Sequence, residues 1–328
     1  MTELKLRVVD ARRLNPLIRE LQLADPDGRP LPPFEAGAHI QVQVRLGEGS
    51  HDWRHYSLVE LSGAAAAHGA PDRYVIAVRL EDMGRGGSRY MHEGLKVGDL
   101  VAVRPPKNEF PLQPGAGRVV LLAGGIGVTP IATMAAQCRA LGRPLTLVYA
   151  GRSRALMAYL EPLKALLGDA LRVHADDEQG GRPLDVDAVL GDCGGGDETV
   201  HVCGPRALLD QVLARAAARG WAPARVRFEI FATPQSEAGD RPFELVLAQS
   251  GTTLQVPVGK TIIDSLRALG EDPLCDCLRG ECGVCAVAVI EGEVDHRDYV
   301  LSAAEKQSNK VMQICVSRAR GARLVIDL

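Results

Sequence analysis

The sequence has 328 residues, of which 46% are hydrophobic and 24% are charged, and its formal net charge at pH 7 is −3. A chain of this length and composition can bury a sizeable core and is expected to divide into two or three domains. The slight acidity argues against a nucleic-acid partner, because a module that binds phosphate backbones normally carries a surplus of basic residues.

The opening segment and the hydropathy pattern predict a cytoplasmic protein. Residues 1–10 alternate polar and apolar side chains and lack the continuous apolar stretch of a secretion signal. No apolar run in the sequence approaches the roughly 18 residues of a membrane span, so we expect no membrane partner. Because disulfides are disfavoured in the cytoplasm, clustered cysteines there more often bind metal or take part in catalysis.

The first segment, residues 1–113, has the pattern of short strands. Alternating or apolar runs are separated by turn-forming sequences at 25–28, 46–49 and 97–99, and helical periodicity is almost absent. This spacing predicts a small antiparallel β-barrel or a sandwich. The predicted strands are residues 4–9, 18–23, 39–44, 55–58, 74–80 and 100–103.

The second segment, residues 114–232, alternates strand and helix patterns. A β-branched run at 118–123 ends in Gly-Gly-Ile-Gly-Val-Thr-Pro at 124–130. Apolar residues then recur at helical spacing, with Thr129 as the predicted cap and Pro130 in the first helical position. The alternation predicts a parallel sheet wound with helices. The later predicted strands are 145–149, 171–174 and 199–202, and the later helices are 155–167 and 206–219.

The third segment, residues 242–328, follows a polar stretch at 233–241 that has the composition of a surface linker. A hairpin over 243–257 is followed by a short helix over 262–269, which Gly270 ends. Two more strands are predicted at 286–290 and 324–327.

Five of the eight cysteines lie in this third segment, and their spacing carries information. Cys277, Cys282 and Cys285 form a C-x4-C-x2-C pattern, and Cys315 follows after 29 residues. This is the plant-type spacing of a [2Fe–2S] cluster, in which one loop supplies three thiolates and a distant segment supplies the fourth. Cys275 is the surplus cysteine in this interpretation.

The loop between the first and third of these cysteines contains two glycines, Gly280 and Gly283. They fit a tightly wrapped loop, because missing side chains let backbone N–H groups approach the cluster sulfurs. The alternatives are a four-thiolate zinc site, built from Cys275 and the three cysteines of the pattern, and inert buried thiols. Neither alternative accounts for Cys315 at the ferredoxin distance.

Three stretches of the third segment, residues 277–285, 295–302 and 314–318, resemble the C-terminal ferredoxin domain of the phthalate dioxygenase reductase and vanillate demethylase reductase family. The resemblance implies a β-grasp fold for residues 242–328. It also implies a flavin-binding barrel and a nicotinamide-binding domain upstream of it.

A flavin is also required by the electron count. A cluster passes single electrons whereas a nicotinamide releases two as a hydride, and flavin is the usual carrier between them. Arg54-His55-Tyr56-Ser57 resembles the family's R-x-Y-S motif, which implies that Tyr56 lies against the isoalloxazine, that Ser57 lies near its reactive nitrogen, and that Arg54 helps to hold the phosphate. A half-exposed strand without function is the alternative for this motif.

A second stretch, Arg85-Gly86-Gly87-Ser88, resembles the flavin phosphate loop of the same family, in which the flavin is FMN. Paired glycines allow consecutive backbone N–H groups to point at an anion, and a serine hydroxyl adds a donor. A glycine turn between a strand and a short helix is the alternative.

The nicotinamide site is implied by two further motifs. The turn at 124–130 departs from the G-x-G-x-x-G fingerprint but occupies the same strand, loop and helix context, and Cys203-Gly204-Pro205 resembles the family's second motif. The resemblance places Cys203 beside the nicotinamide ring; a small buried thiol is the alternative. Phe231 could cover the flavin, although core packing explains it equally well. The residues assigned to nicotinamide binding are Gly124, Gly125, Gly127, Thr129, Pro130, Cys203, Gly204 and Pro205.

The choice between NADH and NADPH stays open at the level of residues. Arg152 and Arg154 follow the second strand of the domain, where arginines can accept a 2′-phosphate. The family resemblance implies NADH.

The combined prediction is a three-domain electron-transfer reductase: an FMN barrel (1–113), an NAD-binding α/β domain (114–232), a linker (233–241) and a ferredoxin domain (242–328). Electrons would pass from NADH through FMN and the cluster to the Rieske-type oxygenase component of an aromatic oxygenase or demethylase system, with Ser57 and Cys203 in catalytic roles. The alternatives are a reductase of a P450 or another monooxygenase, and a non-enzymatic iron–sulfur sensor.

Overall fold

The structure is a computed structural model that describes residues 3–63, 69–81, 86–115, 117–194, 198–231 and 236–328. The predicted Arg85 and residues 233–235 of the predicted linker lie outside the described residues. The chain divides into two compact units, Met1–Glu229 and Ile230–Leu328. The domain boundaries drawn from the sequence stay predictions. Among the described residues, none of the helices combines the length and the apolar character that crossing a bilayer requires.

The first unit begins with a six-stranded antiparallel sheet in the order β4-β3-β6-β1-β2-β5. A bridge between Leu58 and Ile76, with the Val59 N–H donating to the Val75 carbonyl at 2.9 Å, joins the two outer strands and closes the sheet. The predicted antiparallel β-barrel is therefore confirmed. Its strands are β1 (Leu4–Asn15), β2 (Ile18–Ala24), β3 (His39–Arg45), β4 (His51–Ser57), β5 (Arg73–Arg79) and β6 (Leu100–Lys107).

Alternate residues of these strands form the barrel core, as period-two patterning requires. Leu21, Leu23 and Ile76 are fully buried there. A short helix, α1 (Gly87–Arg89), continues as a π-helical turn over Tyr90–Gly94 between β5 and β6. Gly86 precedes α1 and Gly87 and Ser88 lie in it, so the described part of the predicted phosphate loop forms the start of this helix.

The second half of the first unit is a five-stranded parallel sheet in the order β11-β10-β7-β8-β9, as the alternating pattern predicts. The order reverses at β7, whose neighbours are β8 on one side and β10 on the other. In sheets of this kind ligands bind outside the carboxyl ends of the strands at such a switch point. The strands are β7 (Val119–Gly124), β8 (Leu145–Gly151), β9 (Leu171–Ala175), β10 (Thr199–Cys203) and β11 (Val226–Glu229).

The helices of this sheet differ from the predicted ones in three respects. Helix α2 begins at Val128, so Thr129 is not its cap. Helix α3 begins at Leu160 and not at residue 155, because residues 154–156 form a 3-10 turn and Tyr159 has a left-handed backbone. Helix α4 has no counterpart among the predicted elements. The helices are α2 (Val128–Ala140), α3 (Leu160–Leu167), α4 (Val186–Gly191) and α5 (Arg206–Ala218).

The second unit is built on a five-stranded sheet in the order β13-β12-β18-β14-β16, in which β12 and β18 are parallel and the other pairs are antiparallel. Helix α6 packs Ile262, Ile263 and Leu266 into the core of this sheet. This confirms the predicted β-grasp fold. Its elements are β12 (Phe243–Leu247), β13 (Thr253–Val256), α6 (Ile262–Ala268), β14 (Ala286–Glu291), β15 (Val294–Asp295), α7 (Ala303–Ser308), β16 (Val311–Gln313), β17 (Arg318–Ala319) and β18 (Arg323–Ile326).

The ends of helix α6 follow local signals closely. Thr261 and Asp264 form a capping box, in which each side chain accepts a hydrogen bond from the other residue's backbone N–H. The predicted helical face extends to Leu269, but the helix ends at Ala268 and Leu269 is 55% exposed. Gly270, which follows Leu269 and has φ +89°, turns the chain out of the helix. Leu269 therefore does not join the buried face of the helix.

Candidate functional site

The structure brings the two predicted flavin motifs together at one end of the barrel. Arg54 lies on β4, and its Nε is 3.3 Å from the position that a Cβ on Gly87 would take. Its Nη1 donates to the Asp52 carboxylate and, at 3.0 Å, to the Trp53 carbonyl. Any side chain larger than that of glycine at position 87 would press on the guanidinium, so the glycine keeps a cradle open beside it.

The turn that precedes this cradle also depends on glycine. Gly86 has φ +94°, which L side chains rarely adopt. The neighbouring Ser88 hydroxyl accepts a hydrogen bond from the Glu81 N–H at 3.0 Å. The hydroxyl oxygen of Ser88 is the acceptor in this bond, so its proton can be donated to an anion. This agrees with the predicted phosphate loop.

Tyr56 and Ser57 end strand β4. Tyr56 packs against the barrel core, and burial raises the pKa of its phenol, so the ring is neutral. Ser57 is 4% exposed, and its Oγ makes no hydrogen bond within the described parts of the chain. A buried hydroxyl without a partner is costly, and a flavin heteroatom would satisfy it.

His55 occupies the opposite face of β4 from Arg54 and Tyr56, since successive strand residues alternate. Its ring stacks on that of His39 with centroids 4.7 Å apart and planes 10° from parallel. The structure therefore accounts for His55 by this stacking, and its assignment to the flavin site stays a prediction.

The two nicotinamide motifs meet at the carboxyl ends of β7 and β10, the switch point of the sheet. A Cβ on Gly127 would lie 2.2 Å from the Cys203 carbonyl oxygen, and a Cβ on Gly124 would lie 2.7 Å from Pro205 Cδ. A Cβ on Gly204 would lie 3.0 Å from the Gly124 Cα. Only glycine at these three positions allows the turn and the second motif to pack backbone against backbone.

The rest of the nicotinamide turn differs in detail from the predicted arrangement. The Thr129 hydroxyl donates to the Ile126 carbonyl at 3.1 Å instead of capping an amide, and Pro130 lies in the third helical position. Gly125 has φ +56° with open space around it. Cys203 is buried at the end of β10, beside Ala123 of β7. Its catalytic role stays a prediction.

Two further predicted cofactor contacts are Arg154 and Phe231. Arg154 forms an ion pair with Glu178, with Nε 2.7 Å from Oε1, and this bond raises the pKa of Arg154. Phe231 is half-buried and belongs to the second compact unit. Its assignment to the flavin stays a prediction.

In the second unit, the four cysteines of the predicted cluster lie together. The Cys277 sulfur is within hydrogen-bonding reach of those of Cys282 and Cys315, and the Cys285 sulfur is within reach of that of Cys315. These contacts, first of all the one with Cys282, hold the pKa of the Cys277 thiol well below its ordinary value. None of the eight cysteines forms a disulfide.

Cys275 is not a member of this group. Its sulfur instead accepts a hydrogen bond from Arg267 Nη2 at 3.1 Å. The zinc set that includes Cys275 is therefore not the set that the fold assembles. Among the described residues, no group of three or more His, Cys, Asp or Glu side chains has the spacing that a single metal ion requires.

The cysteine loop has an unusual backbone that presents N–H groups to the sulfurs. Leu278, Gly280 and Gly283 all have positive φ, at +56°, +79° and +76°. The Arg279 N–H donates to the Cys277 sulfur at 3.3 Å. A Cβ on Gly280 would lie 3.0 Å from the Asp298 Cα, so this glycine also lets residues 295–302 pack on the loop.

Two features around the loop escaped the sequence analysis. Gln313 is buried, and its Oε1 accepts a hydrogen bond from the Cys285 thiol at 3.4 Å. Arg297 donates to both oxygens of Asp240, at 2.5 and 3.2 Å, across 57 residues. The sequence shows a glutamine two residues before Cys315, but its burial and the pairing of Arg297 with Asp240 depend on the fold.

These observations fit all three implied groups. The orphaned Ser57 hydroxyl fits a heteroatom of the flavin ring system, and the Gly87 cradle beside Arg54 fits the flavin phosphate. The glycine contacts at the switch point fit a dinucleotide. Four gathered thiols with inward N–H groups are the donor set of a [2Fe–2S] cluster.

Comparison with known proteins supports this assignment. Residues 245–320 match the family model of a 2Fe-2S iron-sulfur cluster binding domain. The chain is 42% identical over 309 residues to a toluene-4-sulfonate monooxygenase system reductase subunit of Comamonas testosteroni, covering 94% of this chain and 93% of the relative. It is 39% identical over 313 residues to a vanillate O-demethylase oxidoreductase of a Pseudomonas strain, covering 95% of each.

Two solved structures extend the comparison over almost the whole chain. One is phthalate dioxygenase reductase, described as a modular structure for electron transfer from pyridine nucleotides to [2Fe–2S], with a TM-score of 0.75, 36% identity, and coverage of 99% of this chain and 98% of that one. The other is an intact type IV self-sufficient cytochrome P450 monooxygenase, with a TM-score of 0.68 and 37% identity, of which this chain covers 41%.

Proposed function

Because the chain belongs to the phthalate dioxygenase reductase and vanillate demethylase reductase family of oxidoreductases, we propose that it is the reductase component of a Rieske-type aromatic oxygenase or demethylase system. Electrons enter from NADH, pass through FMN to a [2Fe–2S] cluster, and leave to the oxygenase component. The protein would work in the cytoplasm, where NADH is available and thiols stay reduced.

The first unit supplies the residues for hydride transfer. Arg54, with the Gly86–Ser88 turn, would hold the FMN phosphate, and Tyr56 would pack against the ring system. Ser57 would donate its hydroxyl proton to a hydrogen bond with the flavin. When bound, FMN supplies a carrier that accepts two electrons together and releases them singly.

The Gly124–Gly127 turn and the N-terminus of α2 would bind the pyrophosphate of NADH, because backbone N–H groups there face outward without helical partners. Cys203 would lie beside the nicotinamide. Cys277, Cys282, Cys285 and Cys315 would hold the iron.

One observation carries this proposal: the fold gathers Cys277, Cys282, Cys285 and Cys315 and leaves Cys275 outside. A nucleotide-binding flavoprotein needs no such group for hydride chemistry. A one-electron exit does need it, because an oxygenase takes up electrons singly.

NADH is favoured over NADPH by the surroundings of Arg154. Its guanidinium is already paired with Glu178, so the 2′-phosphate of NADPH would have to displace the Glu178 carboxylate or be repelled by it. The 2′-hydroxyl of NADH is uncharged and meets no such repulsion.

A second candidate partner is a P450. A chain similar to this one over its whole length forms part of a self-sufficient P450 monooxygenase, so the same reductase module can deliver electrons to haem. A reductase for a separate P450 differs from the first proposal only in the acceptor.

The test begins with anaerobic purification, reconstitution with iron, sulfide and FMN, and metal analysis. We expect about two iron atoms per chain and rapid loss of flavin absorbance on mixing with NADH. A colourless, iron-free protein after reconstitution contradicts the proposal, and slow flavin reduction points to a sensor. Purified Rieske oxygenase and P450 components, offered as alternative acceptors, then distinguish the two partners by their rates of reduction.

A further inference from the structure

Two buried hydrogen-bonded bridges join the barrel to the parallel sheet within the first unit. The Thr133 bridge consists of Thr133 on α2 with Leu58 and Glu60, which follow β4. The Thr133 hydroxyl donates to the Leu58 carbonyl at 2.9 Å and accepts from the Glu60 N–H at 2.9 Å. Thr133 is fully buried, so its hydroxyl exchanges no bonds with water.

The position of this bridge is informative. Leu58 directly follows Ser57, the predicted flavin contact, and α2 begins at the predicted nicotinamide turn. One side chain therefore connects the strand end that would touch the flavin to the helix that would bind NADH. Because the protein interior is close-packed, a displacement at one end of this connection is transmitted to the other.

The Tyr159 bridge lies at a second point of the same boundary. The Tyr159 hydroxyl donates to Glu20 Oε2 on β2 at 2.8 Å, and Arg12 Nε donates to the other oxygen at 2.8 Å. Glu20 is 1% exposed. A buried carboxylate is costly unless donors such as these bond to it. The Glu20 carboxylate therefore favours the one packing of the two elements that brings the Tyr159 hydroxyl to it.

Tyr159 also has φ +58°, which bulky L residues rarely adopt. Such a conformation persists only where the surroundings determine it. The carbonyl of the preceding Ala158 accepts from the Tyr149 hydroxyl at 3.2 Å, and the same proton is shared with the Gly125 carbonyl at 3.3 Å. The Tyr159 bridge thus extends through Tyr149 to the nicotinamide turn itself.

We propose that Thr133 and Tyr159 are positioning residues that hold the nicotinamide turn in register with the flavin end of the barrel. The inference rests on the proposed function and deepens it. Hydride transfer requires reacting atoms about 3–3.5 Å apart, and a displacement of about 1 Å can cost about a hundredfold in rate. The hydride carries both electrons from NADH to the flavin, and a solvent proton completes the reduced flavin.

The test uses Thr133→Val and Tyr159→Phe, each of which preserves shape and removes the hydroxyl. The matched control is Tyr74→Phe. Tyr74 is a buried barrel residue whose hydroxyl donates to the Pro32 carbonyl at 2.6 Å, so the control loses a comparable bond within the barrel alone.

In the holoenzyme, we expect each bridge variant to lower the rate constant of flavin reduction at saturating NADH by about tenfold, with less than a twofold change in the Kd for NADH. Tyr74→Phe should leave both values unchanged. Glu20→Gln keeps an acceptor oxygen for Tyr159 and should retain most of the rate.

A second readout does not depend on activity. In the flavin-free protein, Thr133→Val and Tyr159→Phe should accelerate hydrogen exchange of the backbone amides of residues 125–128, and Tyr74→Phe should not. Unchanged exchange at these amides, or an equal fall in rate for Tyr74→Phe, overturns the inference. If wild-type flavin is not reduced by NADH, the proposed function fails, and the exchange result still decides the inference.

Discussion

At the residue scale, the glycines of this chain serve two distinct purposes. Gly86 and Gly125 have positive φ with open space around them, so their backbone conformation is what requires glycine. Gly127 has an ordinary φ, but a Cβ there would lie 2.2 Å from the Cys203 carbonyl oxygen and 2.4 Å from its carbon. Because the obstacle is backbone, no side-chain rotation can relieve it.

Gly127→Ala is therefore expected to separate β10 from the nicotinamide turn. We expect a loss of about 1–3 kcal/mol in the free energy of unfolding, typical of overpacking, and NADH binding weakened by at least tenfold. Urea denaturation and titration with NADH measure the two effects. Gly191→Ala is the control, since a Cβ there meets nothing within 4 Å; a similar loss in that variant would contradict the explanation.

At the element scale, an ion network ties the two-stranded ribbon of β15 and β17 to the segment that enters β12. The Asp240 carboxylate accepts from Arg297, and Arg318 of β17 lies 3.8 Å from it. Asp295 of β15 shares the same Arg297 guanidinium at 2.6 Å. The side chains of Arg297, Arg318 and Asp240 are all buried, so removing one charge leaves another without compensation.

Asp240→Asn should lower the free energy of unfolding of the second unit by about 3 kcal/mol at pH 7. The bond from Arg297 lowers the pKa of Asp240 below its unfolded value of about 3.9. The stabilisation is therefore complete above about pH 4 and is lost as the pH falls through the lower, folded value. Hydrogen exchange of β12 and β18 amides at several pH values measures the difference between variant and wild type.

The matched control for this prediction is Glu291→Gln. Glu291 pairs with Arg323 at 2.7 Å, but both side chains are largely exposed, so the loss should stay below about 1 kcal/mol. Equal losses in the two variants, or a difference that persists unchanged at low pH, would show that burial of the Asp240 pair is not the cause.

At the scale of the whole molecule, the two compact units divide the predicted chemistry between them. The flavin and nicotinamide motifs belong to Met1–Glu229, apart from Phe231, and all four predicted iron ligands belong to Ile230–Leu328. We therefore expect single substitutions to affect flavin reduction by NADH and electron transfer from the cluster separately.

Cys282→Ser should abolish electron transfer to acceptor proteins while leaving flavin reduction by NADH largely intact, because serine is a poor replacement for a thiolate ligand. Cys275→Ser is the control: Cys275 is two residues before Cys277 but lies outside the group of contacting sulfurs, so this variant should retain both the cluster and the transfer. Stopped-flow flavin reduction and cytochrome c reduction measure the two steps. A parallel collapse of flavin reduction in Cys282→Ser would refute the division of roles.

Local patterns in the sequence determined most of the architecture. Period-two alternation in residues 1–113 determined the barrel strands, and the change to a strand and helix alternation determined the parallel sheet, because burial of one face imposes these periods on neighbouring residues. The spacing of Cys277, Cys282, Cys285 and Cys315 was likewise sufficient to select the four sulfurs that the fold gathers.

Tertiary structure alone decided which polar groups meet across the chain. Tyr159 bonds to Glu20 across 139 residues and Thr133 to Leu58 across 75, and the left-handed backbone at Tyr159 delays helix α3 to Leu160. Such contacts leave no period in the sequence. They arise because burial withdraws water from each polar group, so that its partner must come from whatever element the packing places beside it.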